Sequence, residues 1–162
     1  MVNINKVIIN CNLLRGLTLA IQWRESFAIG IKEIDDQHKK LFEAIDKLFT
    51  ACTQGKGKEE VGNTLKFLKD YTIVHFNDEQ QLHIKHNYPE RISHRKLHDD
   101  FLKNLESLKK QFDEEGAGVL FISTVNKTVL DWLIKHIGSS DKAFAANVKE
   151  QQKKLLPKYS AI

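Results

Sequence analysis

Cysteine is nearly absent from this chain. Its 162 residues include two, Cys11 and Cys52, too few for a disulfide framework and matching no zinc-ligand spacing, which suits a reducing compartment. No apolar run reaches the length of a membrane span. The stretch from Val7 to Ile21 is fairly apolar, but Asn10, Asn12 and Arg15 interrupt it. It also lacks a small-residue cleavage site, so neither a membrane helix nor a secretory signal is expected, and the cytoplasm is the default location. Charge of one sign is missing too: 25 Lys and Arg face 21 Asp and Glu. The pairs Lys39–Lys40, Lys109–Lys110 and Lys153–Lys154 alternate with acidic residues, as on a solvated helix surface. A nucleic-acid footprint or an anionic-membrane surface is not expected.

No segment alternates with period two, and neither internal repeats nor low-complexity tracts occur. What is there reads as helix. Leu41, Phe42, Ile45, Leu48 and Phe49 recur at helical spacing up to a Gly55–Gly57 loop. A second helix is expected from about Glu59 to about His86. Pro89 suits the first turn of a third, which carries Leu97, Phe101, Leu102, Leu105, Leu108 and Phe112. After Gly116 and Gly118, a fourth holds Phe121, Val125, Val129, Trp132, Leu133 and Ile137, ending near Gly138; a polar tail helix follows from Asp141 toward Leu156. Long helices with short loops imply antiparallel neighbours. The fold class is therefore all-α, an up-down-up-down four-helix bundle with an N-terminal extension and a short C-terminal tail helix.

Seven polar residues interrupt the apolar stripes. They are His38, His75-x-x-x-Glu79, His94-x-x-x-His98 and His136-x-x-x-x-Asp141. Each takes a place where an amphipathic helix buries an apolar side chain, and each would cost several kcal/mol if left unpaired there, on the order of 2–7 for a neutral polar group. Residues four apart share a helix face. The start of the first helix, the end of the second, the start of the third and the end of the fourth all lie at one end of an antiparallel bundle. Topology alone brings the seven to one level. Asp141, five residues past His136, is off the face of a regular helix; Gly138-Ser139-Ser140 is expected to end the helix and turn the chain back, with Asp141 reaching the site from that turn or from the first residue of the tail helix.

A metal centre satisfies all seven together. They are too many for one tetrahedral zinc, and imidazole with carboxylate and no thiolate suits iron. Two six-coordinate ions have twelve positions. Five histidines, two carboxylates and one oxygen bridging both ions fill eleven, leaving one for a small ligand.

From about Trp23 to Asp141 the chain resembles bacterial hemerythrins. The resemblance rests on Ile31-Lys-Glu-Ile-Asp-Asp-Gln-His38, Tyr71-Thr-Ile-Val-His-Phe76, Tyr88-Pro89, His94-x-x-x-His98 and Trp132-Leu-Ile-Lys-His-Ile137. It divides the chain into an extension at 1–22 with no assigned role, a hemerythrin-like domain at 23–156 and a tail at 157–162. It implies reversible O2 binding at an oxo- or hydroxo-bridged pair of non-haem irons. His94, His98 and His136 would hold one iron, His38 and His75 the other, with Glu79 and Asp141 bridging. Leu41, Phe76, Trp132 and Leu133 are expected to wall the O2 pocket, with Phe144 a further candidate. Where the family often carries a second Glu and then a Met, this chain reads Gln80-Gln81-Leu82-His83.

The expected function is storage, transport or delivery of O2, with O2 itself and a recipient oxygen-using enzyme as partners, and no enzymatic activity. The alternative is a di-iron oxygen or redox sensor, or a protein handling peroxide or NO. His83 is rotated by about 80° from His75 on an ideal helix. It is expected off the ligand face, with His83 and His86 both at the surface; the alternative is that His83 reaches the cavity rim, titrates near neutral pH and tunes the pocket without binding metal.

Overall fold

A computed structural model describes residues 22–155. The extension expected at 1–22, apart from its last residue, and the tail at 157–162 lie outside the described residues. Three long helices come first: α1 (Lys32–Thr53), α2 (Lys58–Lys85) and α3 (Arg91–Glu115). Each buries one stripe. In α1 it is Ile34, His38, Leu41, Phe42, Ile45, Leu48 and Cys52, the i, i+3, i+4 spacing of an amphipathic helix. In α2, Glu59 and Glu60 stand in the first turn and Lys85 in the last, a charge order that complements the helix dipole. The turns use residues that tolerate a left-handed backbone. Asn87 (φ 47°) follows α2, and Gly116 (φ 75°) closes α3 by donating its N–H to Phe112.

The antiparallel four-helix bundle is completed by a fourth helical run in five segments. These are α4 (Val119–Val125), a π-helical turn (Asn126–Leu130), α5 (Asp131–His136), a second π-helical turn (Ile137–Asp141) and α6 (Lys142–Leu155). Every residue at these four junctions has right-handed helical dihedrals, so the run is unbroken. This corrects the expectation of a helix end near Gly138. The Gly138-Ser139-Ser140 segment does not stop the helix but widens it, and the Lys142 N–H reaches back five residues to the Ile137 carbonyl.

The core has two tiers. Its far half is apolar, built from Leu48, Leu65, Leu105, Leu108, Phe112, Phe121 and Val125, all within 2% of full burial. The near half holds the histidines. Ahead of α1, the Asp35 carboxylate accepts the backbone N–H groups of Ile29 (2.8 Å) and Gly30 (3.0 Å). That clamp folds the preceding segment back, so that Phe27 stacks on Phe42 and Trp23 packs edge-on against it. Against that segment and the end of α2, α6 is fastened by Lys142 Nζ to the Ser26 carbonyl and by Gln151 Nε2 to the His86 carbonyl, both at 2.8 Å. Among the described residues no helix is long and apolar enough to cross a membrane. Surface lysines pair with acids one turn away, as in Lys56–Glu60 and Lys66–Asp70, the balanced surface that the composition implies.

Gly138 needs neither a positive φ nor free space: a Cβ built there meets no atom within 4 Å. Gly138→Ala is expected to raise the stability to denaturant by about 0.5–1 kcal/mol, the gain of Ala over Gly inside a helix. A helix-terminating glycine would give the opposite sign in the same titration.

Candidate metal centre

All seven residues meet at the near end of the bundle, and none is more than 4% exposed. His38 comes from α1, His75 and Glu79 from α2, His94 and His98 from α3, His136 from α5, and Asp141 from the end of the second π turn. A regular α-helix would carry residue 141 off the His136 face. The π turn's i→i+5 register returns it, and the Asp141 Oδ1–His136 Nε2 distance is 3.0 Å. Asp141 thus comes from the expected segment, directly before the C-terminal helix, but through a widened helical turn rather than a helix end.

The contacts converge on ligand atoms. Nε2 of His136 lies 2.9 Å from Nε2 of His94 and 2.8 Å from Nε2 of His98. Transition-metal–imidazole bonds of about 2.1 Å put cis nitrogens on one ion about 3 Å apart. Ligand atoms of Glu79, His94, His98, His136 and Asp141 all fall within 4.8 Å of one another. Asp141 divides its oxygens: Oδ1 faces His94 (3.2 Å) and His136, while Oδ2 faces His38 (3.2 Å). Glu79 Oε2 faces His98 at 3.2 Å. His38 and His75 sit together with ring centroids 4.8 Å apart.

These groups are close without being satisfied. Both oxygens of Glu79, both of Asp141, both nitrogens of His38 and Nε2 of His75 are buried with no hydrogen bond of acceptable geometry. A buried polar group left so is destabilising by about 1–3 kcal/mol. Orphaned lone pairs of nitrogen and oxygen aimed at a common centre fit a metal-binding role, and the absence of sulfur fits iron over softer metals.

Surrounding side chains fix the imidazoles. Gln37 Nε2 donates to Asp78 Oδ2 (2.6 Å), which turns Gln37 Oε1 toward His75; Nδ1 of His75 donates to it at 2.9 Å, leaving Nε2 as the free lone pair. Phe76 stacks on His98 at 3.7 Å, and Trp132 stacks on His136 at 4.2 Å. Gln37 and Asp78 are absent from the sequence-based set. Both are half-buried, so no stripe marks them, and only their adjacency to His38 and Glu79 offered a signal.

Leu41, Phe76, Trp132 and Leu133, the expected pocket wall, line one small cavity of about 10 Å³ with Ile45, Leu68, Thr72, Phe101 and Val129. The Thr72 hydroxyl is committed to the Leu68 carbonyl at 2.7 Å. Phe144 lies elsewhere, in a second cluster with Tyr88 and Val148. His83 overturns an expectation: it is fully buried, 4.3 Å from the Phe144 ring and 4.5 Å from His94, rather than at the surface. His86 is half-buried.

Burial drives the His75 imidazole down to about 3, with the nearby His38 adding to the effect, and burial with His94 brings His83 down to about 4. His98 is lowered for the same reasons, burial and then His136. Burial and the Asp141 charge raise Glu79 well above the carboxylate range. For Asp141 burial pulls upward, but His136, His38 and His94 outweigh it and hold the group ionised. Without metal, burial thus favours the neutral form of His75, His83 and His98 and the protonated form of Glu79, a proton that metal binding must displace.

A match to the family model of the hemerythrin HHE cation binding domain covers residues 29–147. Similar proteins include a bacteriohemerythrin of Stenotrophomonas maltophilia, 31% identical over 78% of this chain and 80% of its own. A hemerythrin-like protein of Naegleria gruberi is 33% identical over 75% of this chain and 88% of its own. A crystal structure of wild-type hemerythrin superposes with a TM-score of 0.70 and 30% identity, covering 78% of this chain and 96% of that one.

The lowered histidines set a pH dependence for the metal-free protein. Unfolded histidine takes a proton near pH 6.5, whereas folded His75, His83 and His98 resist it to about pH 4 or below. The unfolded state therefore binds more protons in that window, and stability falls as pH drops from about 6.5 toward 4. Glu79 acts oppositely above its ordinary 4.5, but it is one group against three. Denaturant midpoints of metal-free protein at pH 7, 5.5 and 4.5 should decrease in that order; a flat series would contradict it.

Proposed function

This chain belongs to the hemerythrin family, and on that footing we propose that it binds O2 reversibly at a pair of non-haem irons, as a binding protein rather than an enzyme. The observation that carries the reading is the division of Asp141. One carboxylate oxygen faces the His94–His136 group and the other faces His38, as a ligand shared by two ions requires. In this reading His94, His98 and His136 would hold one iron and His38 and His75 the other, with Glu79 and Asp141 as the ligands they would share. Bound there, two irons supply the two electrons that O2 accepts and returns.

The protein's part is to position and to exclude. Gln37 keeps Nε2 of His75 deprotonated and directed inward. The stacks of Phe76 and Trp132 hold the planes of His98 and His136. The neighbouring cavity is about the size of one small molecule and is walled by side chains that carry no acid or base, with its one hydroxyl already committed. An apolar cavity of that kind stays dry and suits a diatomic gas. A site without a proton source favours release of O2 unchanged, which supports carriage or storage, and a recipient oxygen-using enzyme is the matching partner.

Metal analysis of protein expressed in iron-replete cells should give two irons per chain, and exposing reduced protein to air and then degassing it should give a reversible colour change. One ion per chain, or irreversible oxidation on first exposure, overturns the reading. His75→Ala should remove the colour change. Leu133, 4% exposed and one turn before His136, should keep water out. Leu133→Ala is expected to speed autoxidation, at a stability cost of about 2–5 kcal/mol for a buried Leu→Ala. Autoxidation at the parent rate would reduce Leu133 to packing.

A further inference from the structure

His83 lies one turn beyond Glu79 on α2 and is completely buried, yet it belongs to neither histidine group. Its ring is enclosed by Phe144 at 4.3 Å, His94 at 4.5 Å and Tyr88 at 5.0 Å. Among the described residues neither of its nitrogens has a hydrogen-bond partner. An imidazole carries at least one N–H in every protonation state, so a donor is buried here and costs stability unless an acceptor receives it. An apolar side chain would fill the same space without that cost, so packing alone does not account for a histidine.

The acceptor is at hand. Glu79 turns Oε2 toward His98 and His94, while Oε1 lies 3.7 Å from Nε2 of His83 and is itself without a partner. We propose that His83 is a positioning residue of the metal centre, donating its Nε2–H to Glu79 Oε1 and fixing the tilt of that carboxylate between the two histidine groups. A movement of about 0.8 Å brings the pair to ordinary hydrogen-bond length. The ring is held for the task from above: α6 carries Phe144 onto it, and Gln151 ties α6 to the His86 carbonyl at the end of the same helix. The inference rests on the di-iron reading, in which Glu79 spans both ions. Partners that orient a metal ligand typically contribute 10–100-fold in metal affinity.

His83→Leu removes the donor and His83→Gln keeps one. Each is compared with the parent by iron content, by the rate of iron loss to a chelator and by the visible absorption of the oxidised protein. The Leu variant should retain two irons, lose them about 10–100-fold faster and show shifted absorption, and the Gln variant should recover most of both. Should the Leu variant not fold, His83→Met serves in its place. Loss rates and spectra equal to the parent overturn the proposal and make His83 a packing residue. One iron per chain in both variants overturns it the other way, making His83 a ligand. A parent protein that takes up no iron overturns the di-iron reading and this inference together, whereas a two-iron parent matched by its variants overturns the inference alone.

Discussion

Desolvation of the Asp141 carboxylate is the constraint around which the near end of this bundle is arranged. A fully buried carboxylate is strongly unfavourable unless cations or donors surround it. Here three imidazoles approach it within 3.2 Å, and they come from α1, α3 and α5. One side chain thereby ties three helices at a single level. Burial also lowers His75 and His98 and raises Glu79, so around the ionised Asp141 these three groups favour their less hydrated protonation states. The far half of the core, all leucine, phenylalanine and valine, carries no such tension and supplies apolar burial that offsets it.

Helix geometry is bent to serve that carboxylate. A strict 3.6-residue period brings together His75 with Glu79 and His94 with His98, both four apart. It does not bring together His136 and Asp141, five apart, and the π turn at Ile137–Asp141 supplies the missing rotation. The same wider turn lets the chain continue as α6 without a break, which places Phe144 and Tyr88 together over His83. The ligand geometry and the lid over it thus follow from one local departure from regular helix.

Much of this was legible in the residues. The apolar stripes fixed four helices, because amphipathic periodicity over twenty or more residues is a strong signal. The polar interruptions of those stripes located the seven residues, because burial of so many polar groups has few satisfactory solutions. Three points were not legible, for physical reasons. Gly138-Ser139-Ser140 has the composition of a helix stop, and a π turn differs from α only in hydrogen-bond register, which composition does not encode. His83 is rotated away from His75 on an ideal helix and was expected in solvent. What completes its burial beside His94 and Tyr88 is Phe144 of α6, an element whose packing depends on that same unread turn. Gln37 and Asp78 orient His75 from half-buried positions, where periodicity is silent.

The closure of the site bears on how it is filled. With none of the seven residues more than 4% exposed, the closed bundle shields them, and entry of a hydrated cation would accompany a local opening of the chain. Among the described residues the fastenings of α6 are Lys142 to the Ser26 carbonyl, Gln151 to the His86 carbonyl, Ala145 in the main core and the Phe144–Tyr88–Val148 cluster. Segments held by few contacts open at lower free energy than the core they cover. Detachment of α6 would free Asp141 and uncover Glu79 while the apolar half stays folded. Metal capture and metal retention are then two rates of one hinge, the first set by how often α6 lifts and the second by how firmly a filled centre holds Asp141 down.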